Sequence, residues 1–140
     1  MPIEPEKLPY WKTSRTSSSK WLDKAAALLT KLKASSHGRA MMDVNGKACF
    51  SVVWVHDGQD YRIAWPILTP RDPKDREAAE IQSATFIYHW IKAQVLAAQV
   101  LGMKAAFASN VVLPDRSTVM ETIGKVDMHQ VLRLTAKPLK

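Results

Sequence analysis

Two short turn signals, Asn45-Gly46 and Asp57-Gly58, constrain the fold of this chain more than any other feature. Each pair is flanked by residues that alternate between apolar and polar, which is typical of strands joined by a two-residue type I′ turn. That turn needs a positive φ at both central residues, and glycine, asparagine and aspartate tolerate it best. The sequence therefore predicts three consecutive strands that pair antiparallel as a meander.

The turns also predict the register of the strands, because antiparallel partners advance in opposite directions from a turn. Val44 opposite Lys47 places Met41 opposite Phe50, and the second turn places Phe50 opposite Trp65. Side chains alternate between the two faces of a strand, so one face of the sheet is predicted to be apolar and aromatic. Its residues are Met41, Phe50, Val52, Trp54, Tyr61, Ile63 and Trp65, and those of the opposite face are Cys49, Ser51, Val53, Val55, Arg62 and Ala64.

The residues before the meander predict an amphipathic helix. Serines at positions 17 to 19 offer an N-cap, and apolar residues recur at helical spacing after them: Trp21, Leu22, Ala25, Leu28, Leu29 and Leu32. Lys20, Lys24 and Lys31 occupy the opposite side, and Lys33 follows near the end where the helix dipole favours cations. These lysines form either a solvated face or a phosphate-binding face, and periodicity does not separate the two.

A second, much longer helix is predicted after the meander. Asp72 is a suitable N-cap, Pro73 suits the first helical position, and Gly102 provides a C-terminal stop. Apolar residues lie on more than one side of this helix, whereas a three-stranded sheet covers only one side. We expect the second apolar side to be a self-association surface, unless the first helix or the C-terminal region covers it. Its residues are Phe86, Ile87, Trp90 and Ile91.

The remaining signals complete the predicted fold class and domain division. Thr118 and Glu121 have the spacing of a capping box, which predicts a short C-terminal helix that ends at Gly124. The predicted class is α+β, with a three-stranded antiparallel meander packed by an N-terminal helix and a long helix, and with the short C-terminal helix. A chain of 140 residues suits a single domain, here over residues 19–124. Prolines and a Ser/Thr run predict a mobile basic arm over residues 1–18, and residues 125–140 are expected to be a basic tail or an edge strand.

Positive charge is concentrated near the two ends of the chain. Residues 1–39 contain eight Lys or Arg against three acids, and residues 125–140 contain four against one. This distribution predicts a polyanionic partner, and aromatic residues beside cations suit a nucleic acid, expected to be DNA. The candidate contact residues are Tyr10, Trp11, Lys12, Arg15, Lys20, Lys24, Lys31, Lys33 and Arg62. Tyr10 and Trp11 have an alternative role, which is to pin the N-terminal arm onto the domain.

The sequence contains no recognisable catalytic or metal-binding pattern. The histidines His37, His56, His89 and His129 are dispersed, without the neighbouring ligands that zinc needs. The glycines are isolated rather than grouped in a phosphate-binding loop, and no serine lies in a nucleophile elbow. We therefore expect a protein that is not an enzyme and that holds no cofactor and no metal.

Three features bear on the cellular compartment. Cys49 is the single cysteine and cannot form an internal disulfide, which fits a reducing compartment. The N-terminus lacks the basic and then apolar order of a secretory signal. The longest apolar stretch, residues 86–101, is too short and too often interrupted by polar residues to span a membrane. We expect no membrane association and a cytoplasmic location.

Three short motifs carry a resemblance to a known family. They are Trp65-Pro66-Ile67, the helical segment over residues 88–101, and Val111-Val112-Leu113-Pro114-Asp115 followed by Thr118-Val119. In this order, across residues 40–124, the chain resembles a family of small uncharacterised proteins from phages and other mobile elements. Arg116 stands where that family usually has glycine, and the family implies neither an activity nor functional residues. A meander followed by a long helix is also similar in topology to the core of phage single-strand annealing proteins, which form rings or filaments on DNA.

Two functional hypotheses follow from these patterns. The first is a non-enzymatic, largely sequence-independent nucleic-acid-binding protein of a phage or mobile element, located in the host cell if it is phage-encoded. The second is an oligomeric assembly or adaptor protein whose apolar long helix binds copies of itself or a protein partner. In the second hypothesis the basic ends of the chain merely keep the protein in solution.

Overall fold

The computed structural model describes residues 3–125 of the 140-residue chain, except for the side chains of Ser36 and of residues 123–125. Its elements in chain order are α1 (Ser18–Thr30), β1 (Ser36–Val44), β2 (Lys47–His56), β3 (Gln59–Pro66), α2 (Arg76–Leu101), α3 (Met103–Ala106) and α4 (Val119–Lys125). Short 3-10 turns occur at Pro5–Lys7, Pro73–Asp75 and Ala108–Asn110. This arrangement confirms the predicted α+β class. The basic tail or edge strand predicted for residues 125–140 lies outside the described residues, apart from Lys125.

The three strands form one antiparallel sheet in the order β1-β2-β3, with the register that the two turns predicted. The central residues of both turns have the positive φ of type I′ turns: Asn45 56°, Gly46 78°, Asp57 48° and Gly58 72°. Met41 lies opposite Phe50, and Phe50 lies opposite Trp65. The local turn chemistry therefore sets which side chains share a face of the sheet.

The aromatic face of the sheet forms the centre of the core. Trp54 and Ile63 are almost completely buried beneath the helices. The indole of Trp54 stacks on Tyr61 with ring centroids 5.4 Å apart, and Phe107 packs edge-on against the same indole at 5.0 Å. Such aromatic pairs add about 0.5 to 1.5 kcal/mol each beyond the area that they bury. Met41 shares this face but is 55% exposed, because it lies on the outer strand β1.

The first helix packs against α2 and the sheet through the face that its periodicity predicted. Leu22, Ala25 and Leu29 of α1 are buried in the core. Trp21 meets Tyr88 of α2 with ring centroids 5.2 Å apart. The opposite side of α1 is left facing outward, as expected for an amphipathic helix.

The long helix buries more than one of its sides within the chain, and this corrects one expectation. Ile87 and Ile91 are fully buried in the core, so they are not available as a self-association surface. Phe86 and Trp90 are half-buried, and the ring of Trp90 packs edge-on against Phe107 at 5.8 Å. The chain thus covers much of the second apolar side with its own residues.

The N-terminal segment supplies part of that cover, because residues 4–12 lie along α2. The buried amide of Gln82 donates hydrogen bonds to the carbonyl oxygens of Pro5 at 2.8 Å and Pro9 at 3.0 Å. The ring of Tyr10 stacks on His89 with centroids 4.9 Å apart. Composition predicted a mobile arm here, whereas these contacts hold the segment against α2. The segment stays against α2 because the buried amide of Gln82 would otherwise lose its hydrogen-bond partners.

The last helix, α4, is joined to the face of the sheet that lies opposite the aromatic side. The hydroxyl of Thr118 accepts a hydrogen bond from the backbone N–H of Glu121 at 3.2 Å, as the capping spacing predicted. The carboxylate of Glu121 does not return to the cap but binds Arg62 of β3. The helix continues to Lys125, one residue past the predicted stop at Gly124.

Candidate nucleic-acid interface

The outer surface of α1 carries a row of exposed lysines, here called the lysine face: Lys20, Lys24, Lys31 and, just after the helix, Lys33. At 3.6 residues per turn, the first three project within about 40° of one another and extend along about 17 Å of the helix axis. They lie there because Leu22, Ala25 and Leu29 direct the other side of the helix into the core.

The lysine face is not paired with a carboxylate anywhere in residues 3–125. The one acid of α1, Asp23, forms an ion pair with Arg39 of β1 at 2.9 Å. The other ion pairs of the described chain involve cations outside this face: Lys7, Lys12, Arg62, Arg71 and Arg76. Within residues 3–125, no ion pair therefore neutralises the positive charge of the lysine face.

Two contacts position the first half of the lysine face. The hydroxyl of Ser17 accepts a hydrogen bond from the N–H of Lys20 at 3.2 Å, so the cap fixes the first turn of α1, which contains Lys20. The ammonium group of Lys24 lies 4.8 Å from the ring centre of Trp21, within the range of a cation–π contact. The indole N–H of Trp21 donates to Ser14 at 3.3 Å. The ring orients the ammonium group without cancelling its charge, since an aromatic ring carries no net charge.

Arg62, the candidate contact from the sheet, lies away from the lysine face. Its Nε and Nη2 donate to the two carboxylate oxygens of Glu121 at 2.8 Å and 2.6 Å, and Nη2 also donates to the carbonyl of Arg116 at 2.6 Å. The hydrogen bond to Glu121 raises the pKa of Arg62, and the side chain is 17% exposed. The charge of Arg62 is thus already balanced within the fold.

The four N-terminal candidates have different surroundings. The ring of Tyr10 is covered by side chains of α2, and Trp11 is half-buried against the core. The ammonium group of Lys12 lies 2.9 Å from the carboxylate of Asp75. Arg15 is exposed, has no ion pair in the described chain, and lies three residues before α1. Of these four residues, Arg15 alone resembles the lysine face in its surroundings.

Sequence reasoning missed Arg39, which lies beside the lysine-bearing helix. The predicted register contained a signal for it, because Arg39 precedes Met41 by two residues and must share its face of the sheet. Its partner Asp23 belongs to another element, so no local pattern could pair the two.

Exposed apolar side chains occur on a different part of α2 from the one predicted. Leu96 is 63% exposed, Val100 84% and Leu101 66%. Leu96 and Val100 are four residues apart and therefore lie on the same side of the helix. The sequence did not distinguish these residues from the buried apolar residues in the first part of α2.

The described chain also contains a groove of about 580 Å³ between the N-terminal segment, the end of β3 and α4. Its walls are mainly apolar, and its polar residues include Lys47, Cys49 and Glu121. Burial raises the pKa of the Cys49 thiol, which makes the reactive thiolate scarcer. Among residues 3–125, no group of three or more His, Cys, Asp or Glu could hold a metal ion. No helix in that range is long and apolar enough to cross a membrane.

The fold and this surface define a class, which is a small α+β protein with a basic helix whose lysines form no ion pair within residues 3–125. No protein-family model matches the chain, and neither a curated protein nor a solved structure matches it significantly. The resemblance to phage proteins therefore stays a prediction.

Proposed function

We propose that this protein binds nucleic acid, without catalysis, through the lysine face of α1. The observation that supports the proposal best is the arrangement of exposed cations on one side of a helix, with no carboxylate of the described chain paired to them. Elsewhere in the described fold, most arginines have carboxylate partners. A surface that keeps its positive charge in this way attracts a polyanion.

The contacts are expected to be with phosphate groups. About 17 Å measured along the axis of a duplex corresponds to roughly five base-pair steps, so the lysine face has several phosphates within reach. Lysine contacts to phosphate position a protein but carry no information about the bases, so binding should be largely independent of sequence. Four neutralised phosphates give a slope of log affinity against log salt of about −3.6 on duplex DNA and about −2.8 on single strands.

The expected ligand is DNA, and the expected setting is a phage or mobile element in the cytoplasm of its host. The support for this setting is the resemblance of the strand, helix and Val-Leu-Pro-Asp motifs to phage proteins. Phosphates are common to DNA and RNA, so the lysine face does not by itself favour one of them. Oligonucleotides of both types, single- and double-stranded, should therefore be compared.

Fluorescence anisotropy with labelled oligonucleotides tests the proposal. The first variant combines Lys20→Glu, Lys24→Glu and Lys31→Glu. The matched control combines Lys47→Glu, Lys74→Glu and Lys104→Glu, which changes the net charge equally at exposed lysines outside α1. We expect duplex affinity of the wild type to fall on the order of 100-fold between 50 and 200 mM salt. The duplex affinity of the lysine-face variant should be lower than that of the wild type by about 100-fold or more at low salt, and the affinity of the control should fall much less.

Two outcomes would contradict this proposal. One is a wild-type protein that binds no oligonucleotide at low salt. The other is an equal loss of affinity in both variants, because net charge rather than the lysine face would then set the affinity. Circular dichroism of all three proteins verifies that each is folded.

The geometry supports the alternative function, an assembly or adaptor protein acting through the long helix, less well. Ile87 and Ile91 are buried within the chain's own core. The apolar side chains that remain exposed on α2, including Leu96 and Val100, occupy its last turns instead.

A further inference from the structure

The hydrogen-bonding pattern of the hairpins determines which backbone groups face the two edges of the sheet. In a type I′ hairpin the two residues that flank the turn bond to each other, and bonded pairs alternate from there. Val44 and Lys47 flank the first turn, so the even-numbered residues of β1 bond to β2. The odd-numbered residues therefore direct their N–H and C=O groups towards the outer edge of β1. These residues are His37, Arg39, Met41 and Asp43.

The opposite edge of the sheet, on β3, is covered by the chain itself. Three outward carbonyl groups accept hydrogen bonds there: Asp60 from the N–H of Val112 at 2.9 Å, Arg62 from the side-chain amide of Asn110 at 3.2 Å, and Pro66 from the hydroxyl of Ser83 at 3.1 Å. Proline has no N–H, so position 66 leaves no outward donor. An edge covered in this way has few groups left for pairing with another strand.

The edge of β1 has no comparable cover within the described part of the chain. None of the hydrogen bonds formed by residues 3–125 outside the β1–β2 ladder reaches the backbone of its four odd-numbered residues. The ladder runs without a bulge from Ser36 opposite Val55 to Val44 opposite Lys47, and β1 contains no proline. Bulges and prolines are two of the means by which a protein blocks an exposed edge, and charged side chains such as Arg39 and Asp43 are another.

We propose that β1 pairs antiparallel with β1 of a second copy of the chain, around a two-fold axis at Met41, and so forms a continuous six-stranded sheet. Arg39, while keeping Asp23 of its own chain at Nε, then lies opposite Asp43 of the partner subunit, so each copy contributes both members of a further opposite-charge pair. Met41, exposed in the single chain, packs against Met41 of the partner subunit. The pairing of residues 39, 41 and 43 with residues 43, 41 and 39 of the second copy gives three bonded pairs. These supply about six main-chain hydrogen bonds.

Charge and available space favour this axis over others. An axis at Arg39 would place like charges directly opposite each other, which is destabilising. The first helix lies over the early part of β1, where Asp23 pairs with Arg39, and it leaves Met41 uncovered. Rotation about Met41 places the two α1 helices towards opposite ends of the paired strands, which separates them along the strand direction.

The dimer has a consequence for the basic surface. A two-fold axis perpendicular to the sheet keeps both helical layers on the same side, so both lysine faces also lie on that side. The dimer itself does not depend on nucleic-acid binding, and it is tested without nucleic acid.

Sedimentation equilibrium of the full chain tests the proposal with two matched variants. Met41→Lys places like charges at the axis, and Val53→Lys makes the same change at a 39% exposed position on the opposite face of β2. The mass of the wild type should rise from one chain towards two with increasing concentration. Val53→Lys should behave in the same way, and Met41→Lys should remain a monomer. Circular dichroism of each variant verifies that the fold is kept.

Amide hydrogen exchange gives a second measurement that does not rely on a variant. Exchange at Arg39, Met41 and Asp43 should slow by about tenfold or more at high protein concentration, because these amides become bonded only in the dimer. The amide of Met42, which bonds to β2, should be protected at every concentration.

Several results would overturn the proposed dimer. A wild type that stays monomeric, or a Met41→Lys variant that dimerises like the wild type, would do so. Slow exchange at the three edge amides that does not depend on concentration would show that the chain covers its own edge. Loss of the dimer in Leu96→Glu/Val100→Glu would place the interface on α2 instead.

Discussion

Arg62 and the lysine face carry the same charge in opposite surroundings. Arg62 is mostly buried and is held by both carboxylate oxygens of Glu121. The lysine face is exposed and has no carboxylate partner within residues 3–125. A cation removed from water needs a counter-charge inside the fold, whereas a cation in water does not. The comparison indicates that Arg62 serves stability, and it agrees with the proposal that the lysine face binds a partner outside the chain.

The largest expected effect follows from removing the counter-charge of Arg62. Glu121→Gln keeps the shape of the side chain but leaves the buried guanidinium without a carboxylate. We expect the free energy of unfolding to fall by about 3 kcal/mol, because an unpaired buried charge is costly. Urea denaturation measures the change.

A double variant sharpens that prediction. Arg62→Leu/Glu121→Leu removes both charges, so it should destabilise the fold less than Glu121→Gln does. If Glu121→Gln lowers the free energy of unfolding by less than about 1 kcal/mol, Arg62 is better hydrated than its surroundings indicate.

A smaller effect is expected for the exposed pair of Glu4 and Arg71. Hydrogen bonds from Arg71 and then from Lys7 lower the pKa of Glu4 from 4.5 to about 2. A carboxyl whose pKa is lower in the folded state adds stability above about pH 4.5 and loses it as the pH falls towards 2. The Tm difference between the wild type and Glu4→Gln should therefore shrink over that interval. Thermal melting at several pH values measures it, and a constant difference would refute the prediction.

The smallest effect on stability is expected at the lysine face itself. Lys20→Ala/Lys24→Ala/Lys31→Ala should change the free energy of unfolding by no more than about 0.5 kcal/mol, because exposed surface substitutions seldom do more. The lost contact between Lys24 and Trp21 is offset by the higher helix propensity of alanine. The same urea titration measures this change. A loss above about 1 kcal/mol would show that the lysines serve the fold.

Most of the fold could be predicted because its signals are local. The Asn-Gly and Asp-Gly pairs determine the two hairpin turns, and the turns set the register that joins Met41 to Phe50 and Phe50 to Trp65. The beginning of α1 after Ser17 and the end of α2 before Gly102 also depend on a few neighbouring residues.

Contacts between distant segments account for what the sequence did not predict. Ile87 and Ile91 are apolar at helical spacing, but periodicity cannot tell a side covered by the same chain from one open to a partner. Gln82 gives no sign in the sequence that it binds the carbonyls of Pro5 and Pro9. The cover of the β3 edge likewise depends on residues that are remote in the chain.

The candidate interface also has one part that local signals predict and another that depends on contacts between distant segments. Helical periodicity alone places Lys20, Lys24 and Lys31 on one side of α1, since the direction of a side chain follows from its position in the turn. Whether those charges stay uncompensated depends on folding in three dimensions. Arg39 and Arg62 meet carboxylates from other elements, and the lysine face meets none within the described residues. Periodicity orders side chains around a single element, but the distances between elements determine which of them meet.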